Sequence, residues 1–235
     1  MNGIDKVVVL SCEHGGNEIP SAYEKLFVNA NKTLSSHRGY DIGALELFYL
    51  IKNDYVVYKQ CATVSRLLVD VNRSLHRRTL FSEYTKGLTK DDKSVIMDKY
   101  YYGFRKPFEQ LIAMLWQQNK TVLHLSVHSF TPSLNGEKRQ TDFGILYNPE
   151  RKQEKQFALI WKAELNRLLP DYRVRFNYPF RGKPDGHVRY YRDREEEKYL
   201  GIEFEMNQKY AGNTKMKVFI AETFQRAVAA WRNFL

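Results

Sequence analysis

The stretch KVVVLSCEHGG, residues 6–16, decides how this chain folds. Its first half is a short run rich in β-branched residues, which is typical of a strand buried within a sheet. Its second half adds a carboxylate, a histidine and two glycines, so a polar loop is expected directly beyond the carboxyl end of that strand. This loop either binds a metal ion or is a polar turn that closes a strand.

Segments with strand and helix periodicity alternate along the rest of the chain. Further strands are predicted at 121–130, at 201–207 and at the start of 63–72. The predicted helices cover 41–53 with Asp41 as N-cap, 90–118 with an interruption at Pro107, 152 to Pro170, and 218–235. This alternation predicts an α/β fold: one domain over residues 1–235, with a mixed or parallel sheet and helices on both faces.

Composition bounds the class of protein. The chain has 235 residues, of which 43% are hydrophobic, so it can bury a sizeable core. No stretch approaches the roughly 18 continuous apolar residues of a membrane-spanning helix. The opening residues show no signal-peptide pattern, and Cys12 and Cys61 are too few for a disulfide framework. We expect a cytoplasmic protein without a membrane partner, in which both cysteines are reduced.

The positive charge raises nucleic acid as a partner, but its distribution argues against one. The formal net charge is +10 and the pI is about 9.4. Most basic residues alternate with acidic ones, whereas 65–78 and 177–192 hold several arginines near Asn and Asp. Clusters of this kind suit a small anionic ligand better than a long phosphate backbone.

Four polar motifs end or follow predicted strands, where ligands of α/β sheets gather: CEHGGNE, DVNR, VHSF and EFEMN. A zinc hydrolase needs three protein ligands, an open position for water and a carboxylate that moves protons. His14 and His128 are the best ligand candidates because both follow apolar runs. Glu18 is the expected third ligand, with Asp70 and Asn17 as alternatives. On a strand, His124 would lie roughly 13 Å from His128, so it is left out of the ligand set.

Two segments are candidates for binding an anionic substrate. In SRLLVDVNR, Arg66 and Arg73 can hold a carboxylate and Asn72 can orient an oxygen, while Asp70 can support His14 from behind. In PFRGKPDGH, Arg181 lies in a turn-rich loop and is a second candidate carboxylate clamp.

The last motif supplies the candidate general base. Glu203 and Glu205 share one face of the strand 201–207, inside an apolar frame. Buried carboxylates are costly unless they are paired or coordinated, so one of the two is expected to be functional. The strand pattern does not choose between them.

The motifs VLSCEHGGNEIP, SRLLVDVNR, LSVHSF and IEFEMNQ, in this order and spacing, resemble the N-formylglutamate amidohydrolase family over about residues 7–210. The resemblance implies a zinc enzyme with the phosphorylase/hydrolase-like fold, related to zinc carboxypeptidases and aspartoacylase. It implies His14 and His128 as Zn²⁺ ligands, Glu205 as the general base, and Asn72 with Arg73 as substrate binders. Carboxypeptidase-type sites have HxxE, whereas here Asn17 stands in that position and Glu18 follows it.

The expected activity is hydrolysis of a small anionic N-acyl amino acid, with N-formyl-L-glutamate giving formate and L-glutamate. Another N-acyl amino acid or a small peptide is the alternative substrate. A nucleic-acid-binding protein and a catalytically silent metal-binding protein are the alternatives from other classes.

Overall fold

The computed structural model describes residues 5–195 and 197–233, and its centre is a six-stranded mixed sheet. The last two residues of the predicted terminal helix lie outside the described residues. The strands are β1 Lys6–Cys12, β2 Val56–Cys61, β3 Thr121–Phe130, β6 Phe143–Leu146, β7 Val174–Phe176 and β8 Tyr199–Asn207, and a separate two-stranded hairpin is formed by β4 Ser133–Leu134 and β5 Glu137–Lys138. The sheet order is β2-β1-β3-β8-β6-β7.

The sheet is parallel except where β6 runs antiparallel to β8. The prediction of a mixed sheet is therefore confirmed. The register places His128 of β3 beside Glu205 of β8, so two of the predicted site residues are neighbours across one pair of strands. Gly144 of β6 lies on the other side of Glu205.

Helices cover both faces of the sheet, as predicted. They are α1 Asn31–Leu34, α2 Ala44–Leu50, α3 Lys90–Ile96, α4 Gly103–Gln117, α5 Lys152–Leu168, α6 His187–Arg192 and α7 Thr214–Asn233. The α2, α5 and α7 helices bury side chains such as Phe48, Trp161 and Phe224 against one face. On the other face, α4 and α6 pack Phe108 and Tyr191 against the sheet.

The predicted helix over 41–53 is wrong at its start. Helix α2 begins at Ala44, and Gly43, with φ of 83°, precedes it in the left-handed conformation. Asp41 is not the N-cap because its carboxylate instead contacts Arg66 and His128. Short polar residues before a helix are usually caps, and here a tertiary contact overrides that preference.

The predicted strand within 63–72 is also wrong. Apart from one bridge between Glu18 and Val64, this segment consists of turns. Its side chains Leu67, Leu68 and Val69 belong to a separate apolar cluster rather than to the sheet. A short apolar run without alternation does not distinguish a buried strand from a buried turn. The strand next to β1 is β2, which the sequence analysis did not predict.

The helical region over 90–118 is interrupted, but not at Pro107. Helix α3 is followed by a π-helical segment, Met97–Tyr102, and Pro107 lies within the early part of α4. None of the helices in the described ranges is long and apolar enough to cross a membrane.

Candidate active site

Two histidines and one aspartate converge at the carboxyl end of the central strands. His14 follows β1, His128 belongs to β3, and Asp41 precedes α2; all three are buried. Asp41 Oδ2 lies 2.7 Å from His128 Nδ1 and 3.6 Å from His14 Nδ1. The Asp41 backbone N–H also donates to the His14 carbonyl at 2.9 Å, which fixes this loop to the end of β1. One ligand atom from each residue lies within 4.8 Å of the others, close enough to hold a metal ion.

The far nitrogen of each imidazole has its own partner. His14 Nε2 lies 2.7 Å from Asp70 Oδ1, so it donates to this carboxylate. The Ser126 hydroxyl donates to Glu13 at 2.6 Å and therefore accepts from His128 Nε2 at 2.8 Å. Without a metal ion, His128 Nδ1 donates to Asp41 Oδ2 at 2.7 Å. An imidazole that keeps only its Nε2 proton would instead offer the lone pair of Nδ1 to a metal ion.

The electrostatics of the group follow from these contacts. Burial alone would raise the pKa of Asp41, but Arg66 and the two histidines hold it well below its usual value. Burial alone would likewise raise the pKa of Asp70, and His14 lowers it instead. For His128, burial would lower the pKa, yet its hydrogen bonds to Asp41 and Glu13 raise it. The carboxylates of Asp41 and Asp70 are therefore ionised, and they contact the imidazoles of His128 and His14.

Glu205 lies beside this group, and one of its carboxyl oxygens lacks a hydrogen-bond partner among the described residues. Its side chain is buried, and Oε2 has no hydrogen-bond partner within the described part of the chain. Burial raises the pKa of Glu205 to about 8, and the neighbouring carboxylates of Asp41 and Glu203 contribute in the same direction. Such a carboxyl group can take up and release a proton near neutral pH. Burial also raises the pKa of Glu203.

These residues line a cavity of about 550 Å³. Its walls carry carboxylates together with basic side chains that come from separate segments of the chain. The basic residues are Arg66, Arg73, Arg139, Arg181 and His37, and the acidic residues are Asp41, Asp185, Glu203 and Glu205. The size and the charge of the cavity suit a small anionic molecule.

The orientation of Asn72 in this cavity is fixed by its backbone contacts. Its Oδ1 accepts from the His187 N–H at 2.6 Å, and its own backbone N–H donates to Asp70 at 2.9 Å. Because Oδ1 is used, the amide Nδ2 is the group that remains for a ligand in the cavity. Arg73 follows on the same turn and lies 3.7 Å from Asp70.

A second buried polar network lies behind the first group, around Glu13. Glu13 accepts from Ser11 at 2.6 Å and contacts His187 Nδ1 at 2.8 Å. Ser11 in turn accepts from His124 Nε2 at 2.6 Å, and His124 Nδ1 is 2.5 Å from the Tyr199 hydroxyl. Glu13, His124 and His187 also satisfy the spacing of a metal site. Their polar atoms are already paired with one another and with hydroxyl groups, so we interpret this network as structural support.

The structure does not bring Glu18 to the histidines. The side chain of Glu18 is exposed and accepts from Thr63 Oγ1 at 2.8 Å. Asn17, the other nearby alternative, donates to the Leu34 carbonyl at 3.1 Å. The backbone of Glu18 pairs with Val64 in parallel fashion, which turns this residue away from the cavity. The structure thus places Asp41, and not the expected Glu18, beside His14 and His128.

Other predicted residues do meet at the cavity: His14, His128, Arg66, Asn72, Arg73, Arg181, Glu203 and Glu205. Asp70 was expected either to bind the metal or to support His14. It contacts His14 Nε2, on the side of the ring away from Asp41, which is the supporting position. Asp41, Glu13 and Arg139 are site residues that the sequence motifs did not indicate. Asp41 lies in a loop just before a helix, where an aspartate is ordinarily an N-cap, so its position in the sequence did not indicate a role in the site.

The donor set fits a metal ion. Two imidazoles whose Nδ1 atoms can bind a metal ion once deprotonated, and one carboxylate, face a cavity and match sites that keep a position open for water. The hydrogen bonds from the Nε2 atoms to Asp70 and to Ser126 are the supporting contacts that metal-binding histidines ordinarily make.

Solved structures share this fold. The gene product Atu2144 from Agrobacterium tumefaciens is 22% identical with a TM-score of 0.78, over 96% of this chain and 91% of that chain. The N-formylglutamate amidohydrolase from Ralstonia eutropha JMP134 is 16% identical with a TM-score of 0.74, over 100% of this chain and 97% of that chain. A search of curated proteins found no match.

A family model described as N-formylglutamate amidohydrolase matches residues 7–211, which include both histidines, Asp41 and Glu205. The protein is therefore an enzyme that hydrolyses amides. The chain belongs to the N-formylglutamate amidohydrolase family, as the four sequence motifs indicated.

Proposed function

We propose that this enzyme uses Zn²⁺ to hydrolyse a small anionic N-acyl amino acid, with N-formyl-L-glutamate as the substrate and formate and L-glutamate as the products. The observation that carries the proposal is the convergence, in one cavity, of a metal donor group, a buried glutamate with an unpaired oxygen, and several arginines. The chain belongs to a family of amidohydrolases, which supports an amide as the bond that is cleaved.

His14, Asp41 and His128 would hold the ion. Bound there, zinc would supply a Lewis acid for the amide carbonyl and would lower the pKa of a water molecule. Asp70 and Glu13 keep the two imidazoles in the required tautomer through their contacts at the Nε2 side. We choose zinc because imidazole and carboxylate donors in a site of this kind are typical of zinc hydrolases.

Glu205 acts as the general base in this proposal. Its carboxylate accepts a proton from the attacking water and then delivers that proton to the amine that leaves. The pKa of about 8 and the unpaired Oε2 support this role, since the group can exist in both protonation states near neutral pH. Arg66, beside Asp41 at the cavity wall, provides positive charge for the carbonyl oxygen as it becomes negative.

The α-carboxylate of the substrate is bound by Arg73 and by the amide Nδ2 of Asn72. An arginine and an amide donor on adjacent residues can hold both oxygens of one carboxylate. The contact between Asn72 Oδ1 and the His187 N–H keeps this donor directed at the substrate.

We also propose a cytoplasmic location. Cys12 and Cys61 are register neighbours on β1 and β2, yet both are free thiols. Adjacent unbonded cysteines are compatible with a reducing compartment.

The test is metal analysis of the purified protein together with formate release from N-formyl-L-glutamate. We expect about one zinc per chain, loss of formate release on chelation and its recovery when zinc is returned. Zinc without formate release would refute this substrate and call for N-acetyl and longer N-acyl amino acids. A protein that neither retains nor requires a metal would refute the mechanism.

A further inference from the structure

Glu13 is a buried carboxylate that receives hydrogen bonds from several directions. It directly follows β1, and its side chain points away from the cavity into the buried network described above. The hydroxyl groups of Ser11 and Ser126 each donate to it at 2.6 Å, and His187 Nδ1 lies 2.8 Å from it. Three such contacts favour the ionised form of a carboxylate, and this form can only accept hydrogen bonds. His187 therefore donates to Glu13 from Nδ1.

One arm of this network leads from Glu13 to His128. Because the Ser126 hydroxyl donates to Glu13, its oxygen accepts from His128 Nε2 at 2.8 Å. The same nitrogen also lies 3.3 Å from Glu13 Oε2. Glu13 thus keeps a proton on Nε2 of His128. The other nitrogen, Nδ1, which faces Asp41, is then the one that can lose its proton and bind a metal ion.

The other arm leads from Glu13 through His187 to Asn72. The His187 ring is fully buried against Phe108, and its two nitrogens contact Glu13 at 2.8 Å and the Tyr191 hydroxyl at 3.1 Å. The backbone N–H of His187 donates to Asn72 Oδ1 at 2.6 Å. The direction in which Asn72 presents its Nδ2 to the cavity therefore depends on where Glu13 holds His187.

We propose that Glu13 is a positioning residue that links the two halves of the site, because it orients His128 for the metal ion and, through His187, Asn72 for the substrate. The inference rests on the proposed function, in which His128 binds zinc and Asn72 binds the α-carboxylate. It extends that function because both halves then depend on one buried carboxylate. A change at Glu13 should affect metal binding and substrate binding together.

The substitution Glu13→Gln tests this dependence because it keeps the shape of the side chain and replaces one acceptor oxygen by a donor amide. If the amide faces Ser126, the serine hydroxyl must turn to His128, which then accepts at Nε2 and carries its proton on Nδ1. That tautomer cannot bind a metal ion through Nδ1. If the amide faces His187, two donors meet and this contact is lost. Both orientations also remove the negative charge that the two arms share.

The matched control is Glu154→Gln. Glu154 is also fully buried, accepts from Arg192 Nε at 2.8 Å and from the Gly201 N–H at 3.0 Å, and does not line the cavity. Both variants should lose stability in urea unfolding. In chelator competition, Glu13→Gln should weaken zinc affinity about 10- to 100-fold. At saturating zinc, its KM for N-formyl-L-glutamate should rise about 10-fold, whereas Glu154→Gln should keep both quantities within about threefold of the parent.

Two variants of His187 test the second arm separately. His187→Leu removes the donor to Glu13, whereas His187→Asn keeps an N–H donor near the place of Nδ1. For His187→Leu we expect KM to rise about 10-fold with zinc affinity within about threefold, and His187→Asn should restore most of the loss. NMR of the metal-free protein follows the side-chain amide of Asn72 directly. Its signals should shift in Glu13→Gln and in His187→Leu, but not in Glu154→Gln.

Unchanged zinc affinity, KM and Asn72 signals in Glu13→Gln would overturn the inference, because Glu13 would then serve the fold alone. A loss of zinc affinity without a change in KM or in the Asn72 signals would also overturn it, because the two arms would be independent. If Glu13→Gln does not fold, unchanged KM and Asn72 signals in His187→Leu would overturn it instead. A parent protein that retains zinc but releases no formate refutes the proposed substrate alone, and zinc affinity with the Asn72 signals still decides the inference.

Discussion

Replacement of Glu205 by glutamine should change the stability of the metal-free protein in a way that depends on pH. Glu205 has a pKa of about 8 in the folded chain against an ordinary value of 4.5. In the unfolded chain the carboxyl group ionises near its ordinary value. Between these two values the folded state holds a proton that the unfolded state has released, so the wild-type protein loses stability as the pH rises. Below about pH 4.5 both states are protonated and this penalty is absent.

The magnitude follows from the difference between the two pKa values. At about 1.4 kcal/mol for each pH unit, the penalty reaches at most roughly 5 kcal/mol once the pH exceeds 8. Glutamine has nearly the same shape and does not ionise, so Glu205→Gln removes the penalty. Relative to wild type, the variant should gain stability progressively as the pH rises from 5.5 to 8.5. Titrating groups that do not interact with Glu205 contribute equally to both proteins and cancel in this comparison.

The assay is urea unfolding of both proteins, with a chelator present, at pH 5.5 and 8.5. Glu18→Gln controls for the loss of a carboxylate at an exposed position. A difference in unfolding free energy that is the same at both pH values would refute the reasoning, because Glu205 would then already be ionised at pH 5.5. With zinc returned, Glu205→Gln should retain the metal and lose about 10²- to 10⁴-fold in rate, as expected for a general base.

Three further variants test the metal group and the packing around it. Asp41→Asn should abolish stoichiometric metal retention in elemental analysis, whereas Glu18→Gln should keep it; the reverse result would restore Glu18 as a ligand. Asp70→Asn should weaken metal affinity about 10- to 100-fold in a chelator competition, since it supports His14 from behind, and unchanged affinity would contradict this. Gly144→Ala should cost about 1–3 kcal/mol in urea unfolding because the added carbon would meet the Tyr178 carbonyl at 2.1 Å; wild-type stability would show that the strand yields without cost.

The sheet was predictable from the sequence where apolar periodicity was strong. Strand β3 occupies the predicted residues 121–130, and β8 extends the predicted 201–207 by two residues. The failure at 63–72 has a physical cause. Its apolar residues are buried, as their type demands, but in a cluster beneath loops instead of in the sheet. An apolar run indicates that its side chains are buried, but it does not indicate whether they pack in the sheet or beneath loops.

The candidate site was predictable where functional residues end a strand. His14, His128 and Glu205 lie on or just beyond three adjacent central strands, and the order of those strands brings them together. Asp41 was not predictable in this way because it belongs to a loop whose approach depends on tertiary contacts. Glu18 was favoured because it is close to His14 along the chain, but its backbone pairs with Val64 and carries the side chain away. Proximity in sequence is weak evidence for a shared ligand.

The residues that we propose for bond cleavage and those that we propose for substrate recognition have different structural origins. The His128 and Glu205 side chains project from neighbouring strands in register, and the buried Glu13 network ties His128 to the end of β1. The arginines at the cavity wall come instead from turns and loops outside the sheet. Loops tolerate sequence change better than paired strands do. It follows that substitutions of these arginines can alter which ligand the cavity accepts while His128 and Glu205 keep their geometry.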